Sequence, residues 1–565
     1  MLKSHYIDVM ERVLSAYADE HIHRYFNDVK ENGLTEHGFP RLTADIGILI
    51  AHGKRRDLLP IFLEMMEFCC KTIPCVKAAN DFSVREVISC LWEIEASGVV
   101  DRETTARWRE YLAGIEPTTC YTRYAVGVTD TVRNWALFTA VSEHYRMRAG
   151  LCDTTDFIDL QLEQQLQWFD ENGMYMDKLG VECHHPIVYD LVPRGLLVLL
   201  LNQGYRGRLF GRIDEILRKA ALVTLKMQSP TGEIAFGGRS NQFLHNEAWL
   251  CTLFEHEARR YAQQGDIELA ARFKAASNRA LAVIELWLDK QPIRHVKNRY
   301  PTETKYGCEK YAYFDKYMIT VASILHAAYQ VCDDTIADDY AEQFEPSVIA
   351  TSDHFHKVFL KCGGYGVEFD LNADPQYDAN GLGRVHRADA PSAVCLSCPC
   401  PKEPAYTVDI ENPAAFSACA VIIESDDWKL AADDNYAEIR LLKMEEQKGR
   451  AFAAFETAFL SGKCISEQYA VSSKGVSVLL KGEGEIGFAL PAFAFDGEKQ
   501  AEIGEKKQTL TVIYEDWMCI YKTDGTIINL HKTAANRNGH YDMYLAAGKN
   551  GLRVDICIEK CSQEK

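Results

Sequence analysis

Six short stretches in the first 345 residues gather side chains that could bind and cleave a polyhydroxylated, acidic molecule. The first holds His37, Arg41, Thr43 and Asp45, and the second Asn80, Asp81, Ser83, Arg85 and Glu86. The third holds Asp130, Arg133, Asn134 and Trp135, and the fourth His184, His185, Tyr189, Asp190 and Arg194. The fifth holds Arg239, Asn241 and His245, and the sixth Lys310, Tyr311, Tyr313 and Asp315. Two carboxyl groups suit general acid and base work on a glycosidic bond. Arginine matches a planar carboxylate in a two-pronged pairing. Aromatic rings suit the apolar faces of sugars.

The fullest of these stretches is 232–249, GEIAFGGRSNQFLHNEAW. A glycine-rich turn leads into a long, partly apolar helix, with Ser240 as the expected N-cap. Asn241 and His245, four apart, then share one helical face. Glu86 lies one turn into its helix, past the capping position, so capping does not account for it. Arg85 sits about 100° away around that helix, so adjacency in sequence predicts no pair with Glu86. Structural readings stand beside the functional ones. Asp81 and Asp130 serve equally as N-caps, and Asp190 and Arg194 as an i,i+4 ion pair. His245 fits a buried core position, and Tyr311 and Tyr313 fit packing.

The segments that position these residues alternate in character. Amphipathic helices with a charged face are expected over 6–32, 55–71, 102–113, 156–171, 208–227 and 267–289. Helices apolar around most of their circumference, and therefore buried, are expected over 43–52, 81–95, 130–146, 186–201, 240–261 and 309–331. Six such hairpins predict a closed ring with the apolar helices inside, all running the same way. Their N-termini, with their positive dipole ends, then meet at one mouth. Near residue 350 the pattern changes to short β-rich runs separated by Gly, Asp, Asn and Lys, which predicts an antiparallel β-sandwich. The expected domains are 1–348 and 349–565. Within the second, YDANGLGRVHR at 377–387 is expected to reach back over the mouth with Arg384 and His386; an exposed hairpin loop is the alternative.

The chain has 565 residues, 47% hydrophobic and 25% charged, with 81 acidic against 62 basic residues and a net charge of −19. This acidity disfavours nucleic acid and an anionic membrane surface as partners, yet allows a local basic pocket for a small anion. The N-terminus carries acids early and has no apolar core of a secretory leader, and no apolar run is long enough to span a bilayer. Nineteen scattered cysteines then read as free thiols of a cytoplasmic protein. The tight group Cys395, Cys398 and Cys400 lacks a second pair at zinc-ribbon spacing, so no metal is expected. No cofactor is expected either, and homo-oligomerisation is left open.

NWALFTAVSEHYR at 134–146, GEIAFGGRSNQFLHNEA at 232–248, YGCEKYAYFDKYM at 306–318 and the 377–387 segment carry a resemblance. In layout the chain resembles the (α/α)6-toroid carbohydrate-active enzymes with an appended β-sandwich, of the heparinase II/III-like type. These segments are more similar to the β-glucuronidases of glycoside hydrolase family 154 than to the lyases on this layout, some of which carry an Asn-Asn-His-Gly sequence absent here. The resemblance implies an exo-acting hydrolase that releases a terminal uronic acid from short oligosaccharides or glucuronides. Glu86 would be the general acid and Asp190 or Asp45 the second carboxylate. Arg133, Asn134, Arg194, Arg239, Asn241, His245, Tyr311 and His386 would hold the substrate. The alternatives are a lyase acting by β-elimination with Tyr311 and His245, and a non-catalytic glycan-binding scaffold.

Overall fold

A computed structural model of the chain describes residues 2–126, 134–177, 184–338, 344–392, 396–397, 399–424 and 427–561. Asp130 and Arg133 lie outside the described residues, as do Cys395 and Cys398. The helical part runs α1 (Ser4–Leu14), α2 (Asp19–Asn32), α3 (Gly38–Ala51), α4 (Leu59–Thr72), α5 (Val84–Ser97) and α6 (Arg102–Ala113). It continues with α7 (Pro117–Cys120), α8 (Asn134–Arg148), α9 (Thr155–Leu166), α10 (Ile187–Asn202), α11 (Phe210–Met227), α12 (His245–Gln264), α13 (Ile267–Leu288) and α14 (Phe314–Val331).

Six of these close a ring in the order α3, α5, α8, α10, α12, α14 and back to α3, each packed on the next. These are the segments expected to be buried. On α3 every residue from Gly38 to Ile50 is buried, and α12 is buried along most of its length. Close approach within the ring needs small residues. A Cβ at Gly47 of α3 would lie 2.4 Å from Cys90 on α5, and one at Gly195 of α10 would lie 2.1 Å from Trp249 on α12. The amphipathic helices pack outside, α4 on α3, α9 on α8, α11 on α10 and α13 on α12. Asp101 and Asp266 cap α6 and α13, accepting from the amides of Thr104 and Leu269. The 6–32 segment is two helices, interrupted at Ala18, whose backbone is extended. α1 packs on α14, so the two ends of the helical chain lie side by side.

The first five strands form an antiparallel sheet in sequence order: β1 (Ser347–Ala350), β2 (Lys357–Cys362), β3 (Tyr365–Asp370), β4 (Gly381–Arg387) and β5 (Leu396–Ser397). A second antiparallel sheet of eleven strands is built on the pairing of Gly475–Phe495 with His540–Lys560. The sheets pack face to face, with Phe369 against Phe455 and Tyr469 at ring separations of 4.8 and 4.7 Å. The fold is thus a toroid of helical hairpins followed by a β-sandwich. The outer face of the small sheet is covered as well. β2 and β3 are buried at every residue because that face lies on the toroid. There Lys361 Nζ donates to the carbonyls of Leu225 and Gln228 (3.0 and 3.2 Å), and Arg384 Nη1 to that of Ile234 (2.9 Å). The small sheet is the middle of three layers, and Lys361 and Arg384 on its toroid face have protein partners.

Candidate functional site

A cavity of about 490 Å³ opens where the inner helices begin. All six mouths contribute to its wall: His37 and Arg41, Phe82, Asn134 and Trp135, Tyr189, Arg239 to His245 in part, and Tyr311 with Tyr317. The 232–249 stretch enters it through a strained turn rather than a helix. Gly237, Gly238 and Ser240 have φ of 137°, 76° and 66°. α12 begins only at His245, so Ser240 is not an N-cap and Asn241 shares no helical face with His245. The turn places the Ser240 hydroxyl between two phenols. It lies 3.2 Å from Tyr189 Oη and in a short hydrogen bond with Tyr311 Oη. Arg239 Nε donates to Tyr311 Oη at 3.1 Å, and its guanidinium lies over the Tyr311 ring at 4.4 Å. Burial raises the pKa of Tyr311 and Tyr189, with Arg239 opposing the shift in both. Both phenols therefore hold their protons at neutral pH.

His245 stacks against Phe243, which in turn stacks on Tyr317 with centroids 4.4 Å apart. Its Nδ1 is buried without a hydrogen-bond partner. Burial, then Arg41, Lys297 and His295, bring its pKa down to about 3, so the imidazole is neutral with a lone pair to offer. His37, across the cavity, is likewise depressed by burial and then by Arg41, Lys316 and His245. Among the described residues the cations on the wall are Arg41, Arg123, Arg239 and Lys316. Arg123 lies over the Trp135 ring at 5.5 Å. Among the described residues one carboxylate lines the cavity, Asp177, whose Oδ1 accepts from the Asn134 amide at 3.3 Å.

The acids expected to react sit behind this wall. Glu86 is 2% exposed; Arg41 Nε donates to one oxygen at 2.8 Å and Arg85 Nη2 to the other at 2.6 Å. With both oxygens so occupied it faces no substrate. The adjacent Arg85 does pair with it, because a long guanidinium curls back across the 100° that separates the two Cα–Cβ directions. Asp190 accepts from Arg194 Nε (2.9 Å) and the Tyr175 amide (2.8 Å), and Arg194 also donates to Thr224 (2.8 Å). That is the i,i+4 structural pair, and neither residue lines the cavity. Asp45 is buried against Ser323 Oγ (2.8 Å), and burial followed by the charge of Glu86 raises its pKa well above the carboxylate range. It too is outside the cavity wall.

Two residues given a binding role belong to the domain interface instead. Asn241 donates to the Ala235 carbonyl (2.9 Å) and faces Arg384 Nη2 (3.5 Å). His386 on β4 is fully buried, with Nε2 2.8 Å from Glu368 and Nδ1 3.7 Å from Glu233. A bulge at Gly383 resets the alternation of β4, so Leu382 and Val385 go to the sandwich core and Arg384 and His386 to the toroid. The 377–387 segment therefore braces the back of the 232–249 turn and is not part of the cavity wall. Asn134, Arg239, His245 and Tyr311 do line it. Arg123, Asp177, Lys316 and Tyr317 line it as well and were not expected. Lys316 and Tyr317 follow Tyr313 by about one helical turn, a signal that was present in the sixth stretch. Arg123 and Asp177 come from irregular segments with no periodicity to read.

No family model matches this chain, and no curated protein matches it. Solved structures resemble it in arrangement. A heparan sulfate lyase of Pedobacter heparinus is 8% identical, with 93% of this chain and 77% of that one covered, at a TM-score of 0.47. A chondroitin AC lyase of Streptomyces coelicolor A3 is 11% identical, covering 97% and 82%, at 0.44. A glycoside hydrolase family 127 β-L-arabinofuranosidase of Geobacillus stearothermophilus T6 is 10% identical, covering 97% and 98%, at 0.34. The chemistry follows from the cavity's own residues, not from these likenesses.

Proposed function

We propose that this protein cleaves uronate-containing glycans by β-elimination, with His245 and Tyr311 as the proton-transfer pair. The observation that carries this reading is the composition of the cavity: phenols, neutral imidazoles and guanidinium groups, with a single carboxylate among the described residues. In the proposed step Arg239, Asn134 and Arg123 bind the uronate carboxylate and make the adjacent C–H more acidic. His245 takes that proton. The electron pair forms the C4–C5 double bond, the bond from C4 to the glycosidic oxygen breaks, and Tyr311 protonates the departing oxygen. A histidine of pKa about 3 is a weak base in the empty site. The bound carboxylate offsets the nearby cations and raises its basicity when substrate is present.

A glycosidase needs two carboxyl groups flanking the bond, and Glu86, Asp190 and Asp45 are turned away. Asp177 favours the hydrolytic alternative, since it is a carboxylate on the wall. One assay separates the two. Uronate oligosaccharides and chromogenic glucuronides are incubated with the protein while ultraviolet absorbance of an α,β-unsaturated uronate and free uronic acid are followed together. Elimination produces the chromophore. Saturated uronic acid without it would replace this reading by hydrolysis, and binding with neither product would leave a glycan-binding protein.

A further inference from the structure

The 232–249 turn has a second cavity on its other side. This space, of about 120 Å³, lies between the end of α13, the 294–300 loop and the β-sandwich. Gln242 lines it, while the next residue, Phe243, lines the main cavity. Its wall mixes donors and acceptors around two aromatic side chains, Trp287 and Tyr514, of which Trp287 lies beside Lys290. The charges on the wall have partners with one exception. Arg299 holds Asp496 (3.2 Å) and Glu515 (2.9 Å), and Lys297 holds Glu247 (2.5 Å). Glu233 accepts from Ser392 Oγ (3.1 Å) and lies 3.7 Å from His386. Arg384 bonds the Ile234 carbonyl and lies 3.7 Å from Glu368. Lys290 has no carboxylate partner among the described residues, and its ammonium sits 3.9 Å from the centre of the Trp287 ring.

We infer that this cavity is a second carbohydrate site, which takes a sugar bearing one carboxylate: the carboxylate draws the Lys290 ammonium off the Trp287 ring, and the sugar ring takes its place there. An aromatic face, many hydrogen-bonding groups of both kinds and one uncompensated cation are what such a sugar presents a use for. A multiply charged oxoanion fits less well, because Glu233, Asp496 and Glu515 share the wall. The choice of an acidic sugar rests on the uronate reading of the main cavity; the Trp287 platform does not. Burial and then Arg299 lower the pKa of Lys290 to about 8, with Glu515, Asp496 and Glu233 opposing. Binding there should accordingly weaken as pH rises through that value.

The test is saturation-transfer NMR with glucuronate, and glucose as the neutral control, on the full chain carrying Arg239→Ala to weaken the main cavity. Glucuronate should still bind on this background. Lys290→Gln should raise its Kd about tenfold or more, the loss of one charge-assisted contact, with a smaller effect on glucose. Trp287→Ala should remove binding of both, circular dichroism confirming that the variant is folded. Lys290→Gln alone should leave oligosaccharide turnover in the main cavity unchanged, so failure of the elimination assay and failure of this site are read separately. No glucuronate binding on the Arg239→Ala background, or the same Kd with and without Lys290 and Trp287, overturns the proposal.

Discussion

Replacing Tyr311 by Phe removes one oxygen from the cavity and little else. The ring keeps its place against Phe243, 6.0 Å away, and under the Arg239 guanidinium at 4.4 Å. What goes is the hydroxyl that accepts from Arg239 Nε at 3.1 Å and shares a hydrogen bond with Ser240. Those two bonds contribute about 1–3 kcal/mol to stability together, too little to unfold a chain with so large a core. If Tyr311 protonates the leaving oxygen, its loss should lower kcat by about 10² to 10⁴, or about 2.7–5.5 kcal/mol of transition-state stabilisation. KM should change little, since the carboxylate-binding groups remain. A good leaving group needs less protonation, so a uronate carrying a nitrophenyl ether at O4, the oxygen that elimination expels, should lose less rate than the natural linkage. The assay is the initial rate of chromophore formation, with Ser240→Ala as a companion that removes only the hydroxyl's neighbour. A Tyr311→Phe protein that turns over at the wild-type rate refutes the role of Tyr311, and the proton donor must then be Tyr189 or Tyr317.

The other predictions concern stability and pH. Glu86→Gln should destabilise by about 3 kcal/mol or more, because it leaves Arg41 and Arg85 buried without their counter-charge; a urea midpoint equal to wild type with turnover abolished would instead restore Glu86 as the acid. Gly238→Ala puts a Cβ 2.8 Å from Pro186 Cβ at a φ of 76°, so it should cost about 1–2 kcal/mol from the left-handed backbone alone and displace Arg239, lowering kcat as well as the denaturation midpoint. His245 and His295 have pKa values near 3 and 4, below the ordinary 6.5. The unfolded chain therefore binds protons before the folded one, and stability present above about pH 6.5 is lost as pH falls toward these values, at up to about 1.4 kcal/mol per unit for each histidine. Denaturation midpoints from pH 7 to 5 should fall in wild type and fall less in His245→Gln; equal slopes would remove His245 from this account.

The ring was legible because inner helices leave a chemical trace. The 186–201 and 240–261 segments are apolar on sides that an ordinary surface helix would expose, and only a neighbour on every side accounts for that. Periodicity also shows that each mouth is polar. It does not show which side of an inner helix faces the channel and which faces the next helix. Glu86 and Asp190 are both within their helices' first turns, as a catalytic acid in a mouth would be. Their partners decide otherwise. Arg41 is 45 residues from Glu86 in sequence, and nothing in local spacing ties them. His386 was misplaced for a related reason. Strand alternation gives two faces, and a sandwich predicts one in the core and one in water. Here a third layer, the toroid, covers the second face, so a charged residue pointing away from the sandwich core is an interface residue.

The misplaced acids and the cationic cavity have one cause. Three carboxylates deep in the ring are matched by guanidinium groups, Glu86 by Arg41 and Arg85, Asp190 by Arg194, and on α8 Glu143 by Arg146, whereas Asp45 takes the Ser323 hydroxyl and Asp81 the amides of Thr122 and Arg123. Low dielectric makes an unmatched buried charge costly, so these pairs form wherever both partners are near. Arg123 and Arg239 stay out of this matching. Neither has a carboxylate partner among the described residues, and each guanidinium lies over an aromatic ring of the cavity wall. A chain of net charge −19 thus presents positive charge at the place where six helix N-termini converge. An anionic substrate would be drawn to that point against the field of the rest of the surface, and raising the ionic strength should then weaken binding of a charged oligosaccharide more than that of a neutral one. Loss of that difference in the Arg123→Gln, Arg239→Gln double variant is the expected signature; its persistence would place the anion's partners elsewhere.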